Sequence, residues 1–247
     1  MTYYNQQSYG NSQPVIDTNA VYAYEKAKHT SITKVYGEMT IGLLVTALVA
    51  MYTQTTHAFY YFIQSTGMFG WIGIVLVQII LSTVLGIRIF KMRVGVARAI
   101  FYIYAAITGF TLGVIFDIFT TASIALVFCL TAGFFLCLTM LALTTKVNML
   151  KAGPILMVGV IVLVISQLAL SFFAPSDNLI KIVAAIGILL FAGLTAYDAQ
   201  KTRALFEQYE NEPEAIKRLS ILCALQLYLD FINMFVYLLQ LLGDRRE

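Results

Sequence analysis

The segment LSILCALQLYLDFINMFVYLLQLL, residues 219–242, contains a single charged side chain, that of Asp230. A helix of about 20 apolar residues crosses the hydrocarbon layer of a membrane, so this segment predicts a transmembrane helix. A carboxylate in the bilayer core costs about 2.5–3.5 kcal/mol and persists where it faces the bundle interior, is protonated or is paired. We therefore expect Asp230 to face other helices and to have a functional role.

Six further apolar blocks precede this segment, and each is long enough to cross a membrane. They cover residues 36–56, 69–90, 98–120, 122–143, 153–173 and 179–200. The composition agrees, since 60% of the residues are hydrophobic and 12% are charged, against about 45–50% and about 25% in soluble domains. The sequence predicts an all-α integral membrane protein with seven transmembrane helices and excludes a soluble enzyme domain. Residues 1–30 are predicted to form a flexible polar N-terminal tail, and residues 31–247 the membrane domain.

The basic residues predict the orientation of the bundle. Thirteen of the 16 lysines and arginines fall on one side of an alternating seven-span path, and only Lys181, Arg245 and Arg246 fall on the other. The positive-inside rule then places the N-terminus in the cytoplasm and the C-terminus outside. A last helix that re-enters the membrane and leaves the C-terminus inside is the alternative.

Two polar stripes run along the last two blocks, because residues three or four apart share one face of a helix. In block seven the stripe consists of Gln226, Asp230, Asn233 and Tyr237. In block six a shorter stripe consists of Thr195, Asp198 and Thr202. Such stripes are expected to face the bundle interior or a water-filled cavity.

Asp198 and Asp230 could meet if blocks six and seven pack as antiparallel neighbours. Two carboxylates in contact cannot both ionise cheaply, so the pair is expected to share a proton and to sense pH. Their depths differ, since Asp198 lies near the end of its block and Asp230 near the middle of the next. For the two to meet, block six has to continue as a helix past residue 200.

Other polar residues favour structural roles. Glu38, at the edge of block one, is interpreted as an interfacial partner of Lys34, and Asp117 as an interfacial cap. Gln78 is expected to bond a neighbouring helix. The four prolines lie outside the spans, so the interrupted helices typical of many transporters are not expected.

No cofactor, catalytic group or nucleic-acid partner is predicted. The cysteines lie in apolar blocks without CxxC spacing, and they suggest neither a zinc site nor a disulfide framework: Cys129, Cys137 and Cys223.

The stretches LYLDFINMFVYLLQLLG and GLTAYDAQKTR, with TGFTLGVIF in block three, resemble the transmembrane Bax inhibitor motif family. The resemblance implies six helices around a central seventh, a pH-sensitive calcium leak and, in eukaryotes, suppression of cell death. It also implies that Asp198 and Asp230 form a hydrogen-bonded pair. A basic residue at the end of the second helix would latch the pair, for which Arg88, Lys91 and Arg93 are candidates. A second-helix glutamate of bacterial members has no match here, and Gln78 is the nearest polar residue.

The leading hypothesis is thus a non-enzymatic calcium leak in a bacterial inner membrane. Calcium is the transported ion, and Asp198 and Asp230 could contact it transiently through their oxygens. The alternatives are a non-transporting membrane regulator of stress or cell-death partners and a proton-coupled transporter. An intramembrane aspartyl protease is disfavoured, because the residues before Asp230 are Leu-Tyr-Leu rather than the expected Gly-x-Gly.

Overall fold

A computed structural model describes residues 18–172 and 176–246 and consists almost entirely of helices. The helices are α1 (Thr18–Thr56), α2 (Ala58–Arg88), α3 (Val94–Leu112), the short α4 (Ile115–Ile118), α5 (Thr121–Thr144), α6 (Gly153–Phe172), α7 (Asp177–Gln208) and α8 (Pro213–Leu242). In this described part, seven segments are long and apolar enough to cross a membrane, with α4 prolonging the third. The predicted seven-span all-α bundle is confirmed.

The boundary between the third and fourth spans has a clear local cause. Phe119 and Thr120 have extended backbones, and the Thr120 side chain accepts a hydrogen bond from the Ser123 amide at the start of α5. A threonine in this position satisfies an amide that the first helical turn leaves unpaired.

The last two spans are longer than predicted at their shared end. Helix α7 continues to Gln208 instead of stopping near residue 200, and α8 begins at Pro213 instead of residue 219. The connection therefore consists of residues 209–212, much shorter than the loop of about 18 residues that the apolar blocks suggested. The charged residues of this region lie on helical turns that extend beyond the apolar segments.

Helix α1 also starts earlier than its apolar block, at Thr18, inside the segment predicted to be a flexible tail. Residues 18–30 contain three alanines, two lysines and one glutamate, which favour helix, so the helix of the first span continues into them. Residues 1–17 of the predicted tail lie outside the described residues.

Helix α2 contains an interruption that the proline positions did not indicate. Gly67 has φ 61° and ψ −147°, a conformation that residues with a Cβ rarely adopt. The expectation of uninterrupted helices was therefore wrong for α2. The break lies about 13 Å along the helix from its first residue, so it is nearer the end of the bundle than the middle.

Helix α8 is the most buried span. In its most apolar stretch 67% of the residues are buried, against at most 28% in each of the other six. It contacts α1, α2, α3, α5 and α7. Enclosure of α8 by all six other spans stays a prediction.

Helices α1 and α3 approach closely because Gly109 of α3 and Gly113, directly after the end of α3, face α1. A Cβ atom on Gly109 would lie 2.5 Å from the Thr46 carbonyl oxygen, and one on Gly113 would lie 2.9 Å from the Thr53 Cβ. Glycines four residues apart allow this kind of close packing between membrane helices. Both belong to the TGFTLGVIF stretch.

Different contacts join the helices at the two ends of the bundle. At one end, Arg218 of α8 donates to the Phe90 carbonyl, and the rings of Phe90 and Tyr209 lie 5.4 Å apart. At the other end, the C-terminal residues bind the connection between α3 and α5. The contacts are Thr120 N to Asp244 O at 3.1 Å, Arg246 N to Ile118 O at 2.9 Å and Asp244 N to Ser123 Oγ at 2.9 Å.

The C-terminus thus lies at the end opposite the α7–α8 connection. Arg245 also forms an ion pair with Asp177 at the start of α7, at 3.0 Å. Helix α8 runs without a break from Pro213 to Leu242, so the alternative of a re-entrant last helix is wrong.

Substitution of Gly109 by alanine tests the close packing of α1 and α3. The added methyl group would meet backbone atoms that cannot rotate away, so we expect a loss of roughly 1–3 kcal/mol in stability. Thermal unfolding of the purified protein in detergent would measure it. The matched control is Gly133→Ala in α5, where a Cβ meets no atom within 4 Å. Equal melting temperatures for the two variants would contradict the packing described.

Candidate functional site

The candidate site lies between α7 and α8, which form the most extensive helix pair of the bundle. Three side-chain pairs set their antiparallel register. The Thr202 side chain faces the Cys223 thiol, and the rings of Phe191 and Tyr237 are 5.9 Å apart. Between these two levels, the buried carboxyl groups of Asp198 and Asp230 lie close enough to interact electrostatically.

Both aspartates are buried, Asp198 with 8% and Asp230 with 4% of its surface exposed. The apparent mismatch of their depths disappears because α7 continues to Gln208, as the pairing required. The Asp230 Oδ2 atom has no hydrogen-bond partner in the described part of the chain. A buried oxygen of this kind is costly unless a proton or a cation approaches it.

Lys201 is the basic residue at this pair. Its Nζ atom lies 3.8 Å from the Asp198 Oδ1 atom, one helical turn away, and 5.5 Å from the centre of the Tyr197 ring. The predicted latch candidates Arg88, Lys91 and Arg93 are all exposed, and no contact of theirs with either aspartate is found among the described residues. The structure therefore offers a cation from α7 instead of one from the end of α2.

The supporting polar stripe bonds elsewhere. Asn233 donates to the Leu229 carbonyl at 2.7 Å, and the Thr195 hydroxyl to the Phe191 carbonyl at 2.8 Å. Tyr237 accepts from Gln167 of α6 at 3.3 Å. Gln226 is half-buried. These residues share the face of the aspartates without being joined to them.

Gln200, which the sequence reasoning missed, ties α7 to the connection between α5 and α6. Its Nε2 atom donates to the carbonyls of Ala142 and Val147, both at 2.9 Å, and its Oε1 atom accepts from the Met149 amide at 2.8 Å. In the sequence, the one indication of this role is that residue 200 is polar and lies two positions after Asp198, at the edge of an apolar block.

A second polar network, also missed, crosses the bundle on the other side of α8. The Tyr228 side chain is fully buried, and its hydroxyl lies 2.6 Å from the Thr46 hydroxyl. Thr46 donates in turn to the Ala105 carbonyl at 2.9 Å. Gln78 of α2 donates to Thr108 of α3 at 3.1 Å, which is the role between helices expected for Gln78. A tyrosine inside an apolar helix is itself a signal, because its hydroxyl needs a partner.

Glu38 pairs across helices rather than with Lys34. Its carboxylate accepts from the Arg98 guanidinium, and from the Tyr102 hydroxyl at 2.6 Å. The interpretation of Lys34 as its partner was wrong. The packing of α1 on α3 places the Arg98 guanidinium, a planar group with several donors, against the Glu38 carboxylate. Asp117 accepts from Gln54 at 2.9 Å, so it too bonds a neighbouring helix.

A resident calcium site at the pair needs more ligands than are present. Calcium takes 6–8 oxygen ligands. In the part of the chain that the structure describes, no group of three acidic, histidine or cysteine side chains comes together. The two carboxylates alone do not form a complete binding cage.

Comparison with known proteins identifies the family. The family model described as inhibitor of apoptosis-promoting Bax1 matches residues 28–247. The chain belongs to this Bax inhibitor motif family. The resemblance found on LYLDFINMFVYLLQLLG is thereby confirmed, and the chain is an integral membrane protein.

Bacterial members of the family match the chain over most of its length. The inner membrane protein YbhL of Escherichia coli (strain K12) is 40% identical over 218 residues, which cover 88% of this chain and 92% of that protein. An uncharacterised protein of Borreliella burgdorferi is 36% identical over 220 residues, 89% of this chain and 94% of that protein. YrjE of Lactococcus lactis subsp. lactis is 35% identical over 216 residues, 85% and 89% respectively.

Disulfide formation can test the register of α7 and α8 in this Bax inhibitor family protein. With Cys129 and Cys137 replaced by alanine, we expect Thr202→Cys to cross-link to the native Cys223 under mild oxidation, because their side chains already face each other. Peptide mass spectrometry would detect the bond. Thr195→Cys, also buried on α7 but out of register, is the control. Cross-linking at 195 and not at 202 would refute the register.

Proposed function

We propose that this protein is a passive, pH-sensitive calcium leak of a bacterial inner membrane, gated by proton exchange at Asp198 and Asp230. In this proposal the N-terminus and the α7–α8 connection face the cytoplasm, in keeping with the excess of basic residues there. The observation that carries the proposal is the buried carboxyl pair between the most buried helix and its main partner.

The gating argument rests on the number of charges that the pair can hold. With one shared proton, the two carboxyl groups attract each other through a hydrogen bond. With no proton, two negative charges about 4 Å apart repel by roughly 4 kcal/mol at an effective dielectric constant of about 20. Lys201, 3.8 Å from Asp198, can balance one of these charges. A change of protonation therefore alters the force between α7 and α8.

Passage of calcium would use the same oxygens. A hard divalent cation replaces its water by carboxylate and carbonyl oxygens. A pair of ionised carboxylates in an apolar bundle is a place where such an ion can pause. Two ligands hold it weakly, which suits a leak, because an ion that binds tightly does not leave.

Neutral variants of each aspartate test the gate directly. We expect calcium flux through the wild type, measured with dye-loaded liposomes, to change with pH. Asp230→Asn and Asp198→Asn remove the titrating group and mimic the protonated carboxyl. Each single variant therefore mimics the pair that holds one proton, and its flux should lack the change that the wild type shows when this proton is lost.

Glu214→Gln is the matched control, since Glu214 lies on α8 in an exposed pair with Lys217. It should keep the pH dependence of the wild type. Flux that is absent at every pH would refute the leak and favour a regulator. Flux that keeps its pH dependence in both asparagine variants would refute the gate.

Lys201 gives a second test, on the position of the pH response. A nearby positive charge favours the ionised carboxylate, so Lys201→Met should move the half-change of flux to higher pH. Because Lys201 is partly exposed, we expect only about 0.2–0.7 of a pH unit, equivalent to about 0.2–1 kcal/mol.

Lys201→Arg should restore the wild-type midpoint, and Arg88→Gln, Lys91→Gln and Arg93→Gln should leave it unchanged. If one of these three moves the midpoint and Lys201→Met does not, the basic residues after α2 are the latch and the assignment to Lys201 fails.

A further inference from the structure

An apolar cleft lies between α1 and α5, with α8 at its base. Its volume is about 330 Å³, which falls within the range of ligand-binding pockets. Met51 of α1 and Cys129 of α5 line the cleft and are exposed, so it opens to the surface of the bundle. Ile232 and Phe235 of α8 also belong to the lining. The cleft is therefore a place where the most buried helix can be reached from outside the bundle.

The cleft exists because α1 and α5 pack on α8 and make few contacts with each other. Near the end that carries the α7–α8 connection, the Tyr36 side chain of α1 faces Thr139 of α5, so the two helices approach each other there. The cleft lies on the other side of this contact, towards the end where the C-terminus binds.

The depth of the cleft matches one leaflet of a bilayer. Along α1 its lining runs from Leu43 to Met51, about 12 Å of helix, in the half of the first span that is nearer Thr56. One leaflet contributes about 15 Å to a hydrocarbon core of about 30 Å. An acyl chain of that leaflet would therefore follow the cleft over most of its own length.

The lining suits hydrocarbon better than water. Thr46, one of its two threonines, already binds the Tyr228 hydroxyl and donates to the Ala105 carbonyl. The second threonine is Thr121, at the start of α5. A bound water needs two to four polar partners, and this lining supplies few.

A positive charge lies near the end of the cleft that is closer to the membrane surface. The Arg246 amide donates to the Ile118 carbonyl at 2.9 Å, and Ile118 lies in the chain between Phe116 and Thr121 of the lining. The Arg246 side chain is exposed, and no ion pair of it is found within residues 18–172 and 176–246. Guanidinium groups bind phosphate oxygens through two parallel hydrogen bonds.

We propose that this cleft binds one phospholipid, with an acyl chain along α8 and the phosphate at Arg246. The apolar lining and the cation follow one another along the bundle, as the chain and the phosphate do in the lipid. The acyl chain would contact Ile232 and Phe235 and cover α8 where α1 and α5 leave it open. Arg246 would recognise the phosphate, which all phospholipids share.

The site does not depend on the proposed leak, so it can be tested without flux. Two native cysteines of α5 form a matched pair, because both are exposed but only Cys129 lines the cleft and Cys137 does not. The full-length protein in detergent would be treated with N-ethylmaleimide, and the modification of each cysteine followed by peptide mass spectrometry. Added dioleoyl phosphatidylglycerol should slow the modification of Cys129 and leave that of Cys137 unchanged.

Native mass spectrometry would count the bound lipid in variants. The wild type should retain one phosphatidylglycerol. Ala125→Phe should lose it, because its ring would fill the cleft, and the exposed position of Ala125 tolerates a larger side chain. Ala169→Phe, at an exposed alanine of α6 outside the cleft, is the control and should retain the lipid.

Arg246→Gln tests the phosphate contact. It should weaken phosphatidylglycerol binding by about two- to fivefold, the range of an exposed ion pair. It should leave the binding of dioleoylglycerol unchanged, because that lipid has the same chains without a phosphate. Lys181→Gln, which removes another exposed cation at the same end of the bundle, should have no effect on either lipid.

Four results would overturn the proposal. Equal slowing at Cys129 and Cys137, or none at either, would mean that lipid does not select the cleft. Retention of the lipid by Ala125→Phe would place it elsewhere. Equal binding of phosphatidylglycerol by Arg246→Gln and the wild type would refute the phosphate contact. A disulfide between the Cys129 residues of two molecules under mild oxidation would assign the cleft to a second copy of the chain.

Discussion

Hydrocarbon offers no hydrogen bonds, so every polar group inside this bundle has to find its partner in the protein. Most of them do. Tyr228 finds Thr46, Gln78 finds Thr108, and Asn233 bonds its own helix. The exception near the middle of α8 is the Asp230 Oδ2 atom, which has no partner in the described chain. An unpaired buried carboxyl oxygen of this kind calls for an explanation, and the proposed proton exchange would supply one.

Near the carboxyl pair, at the end of the bundle that is rich in basic residues, long polar side chains bond to the backbone of neighbouring segments. Gln200 binds the connection between α5 and α6, and Arg203 donates to the Leu143 carbonyl at 3.3 Å. Arg218 binds the turn directly after α2 through the Phe90 carbonyl. These long polar side chains fix the positions of the helix ends. The apolar sides of the helices alone would let them slide past one another, because lipid tails are as apolar as the helix surfaces.

Features that depend on helical periodicity and hydropathy could be predicted from the sequence. Few features that depend on packing between helices could be predicted. Seven apolar blocks and the shared face of Asp230 and Tyr237 are visible in one dimension. The partner of Glu38 is not, because Arg98 comes from a helix 60 residues later and nothing local favours it over Lys34. The role of Gly109 also needs the position of α1. The length of α7 was inferable only by requiring the two aspartates to meet.

Within the proposed gate, α7 is the helix that has to move. Tyr228 anchors α8 to α1 through Thr46, and its ring packs edge-on against Phe101 of α3 at 5.6 Å. The glycine contacts pack α3 closely against α1, so α1, α3 and α8 are joined by several buried contacts. Repulsion between the carboxylates would then displace α7, together with the connection between α5 and α6 that Gln200 holds. A path opened in this way would lie along α7, beside Lys201, and would leave the packing of α1, α3 and α8 unchanged.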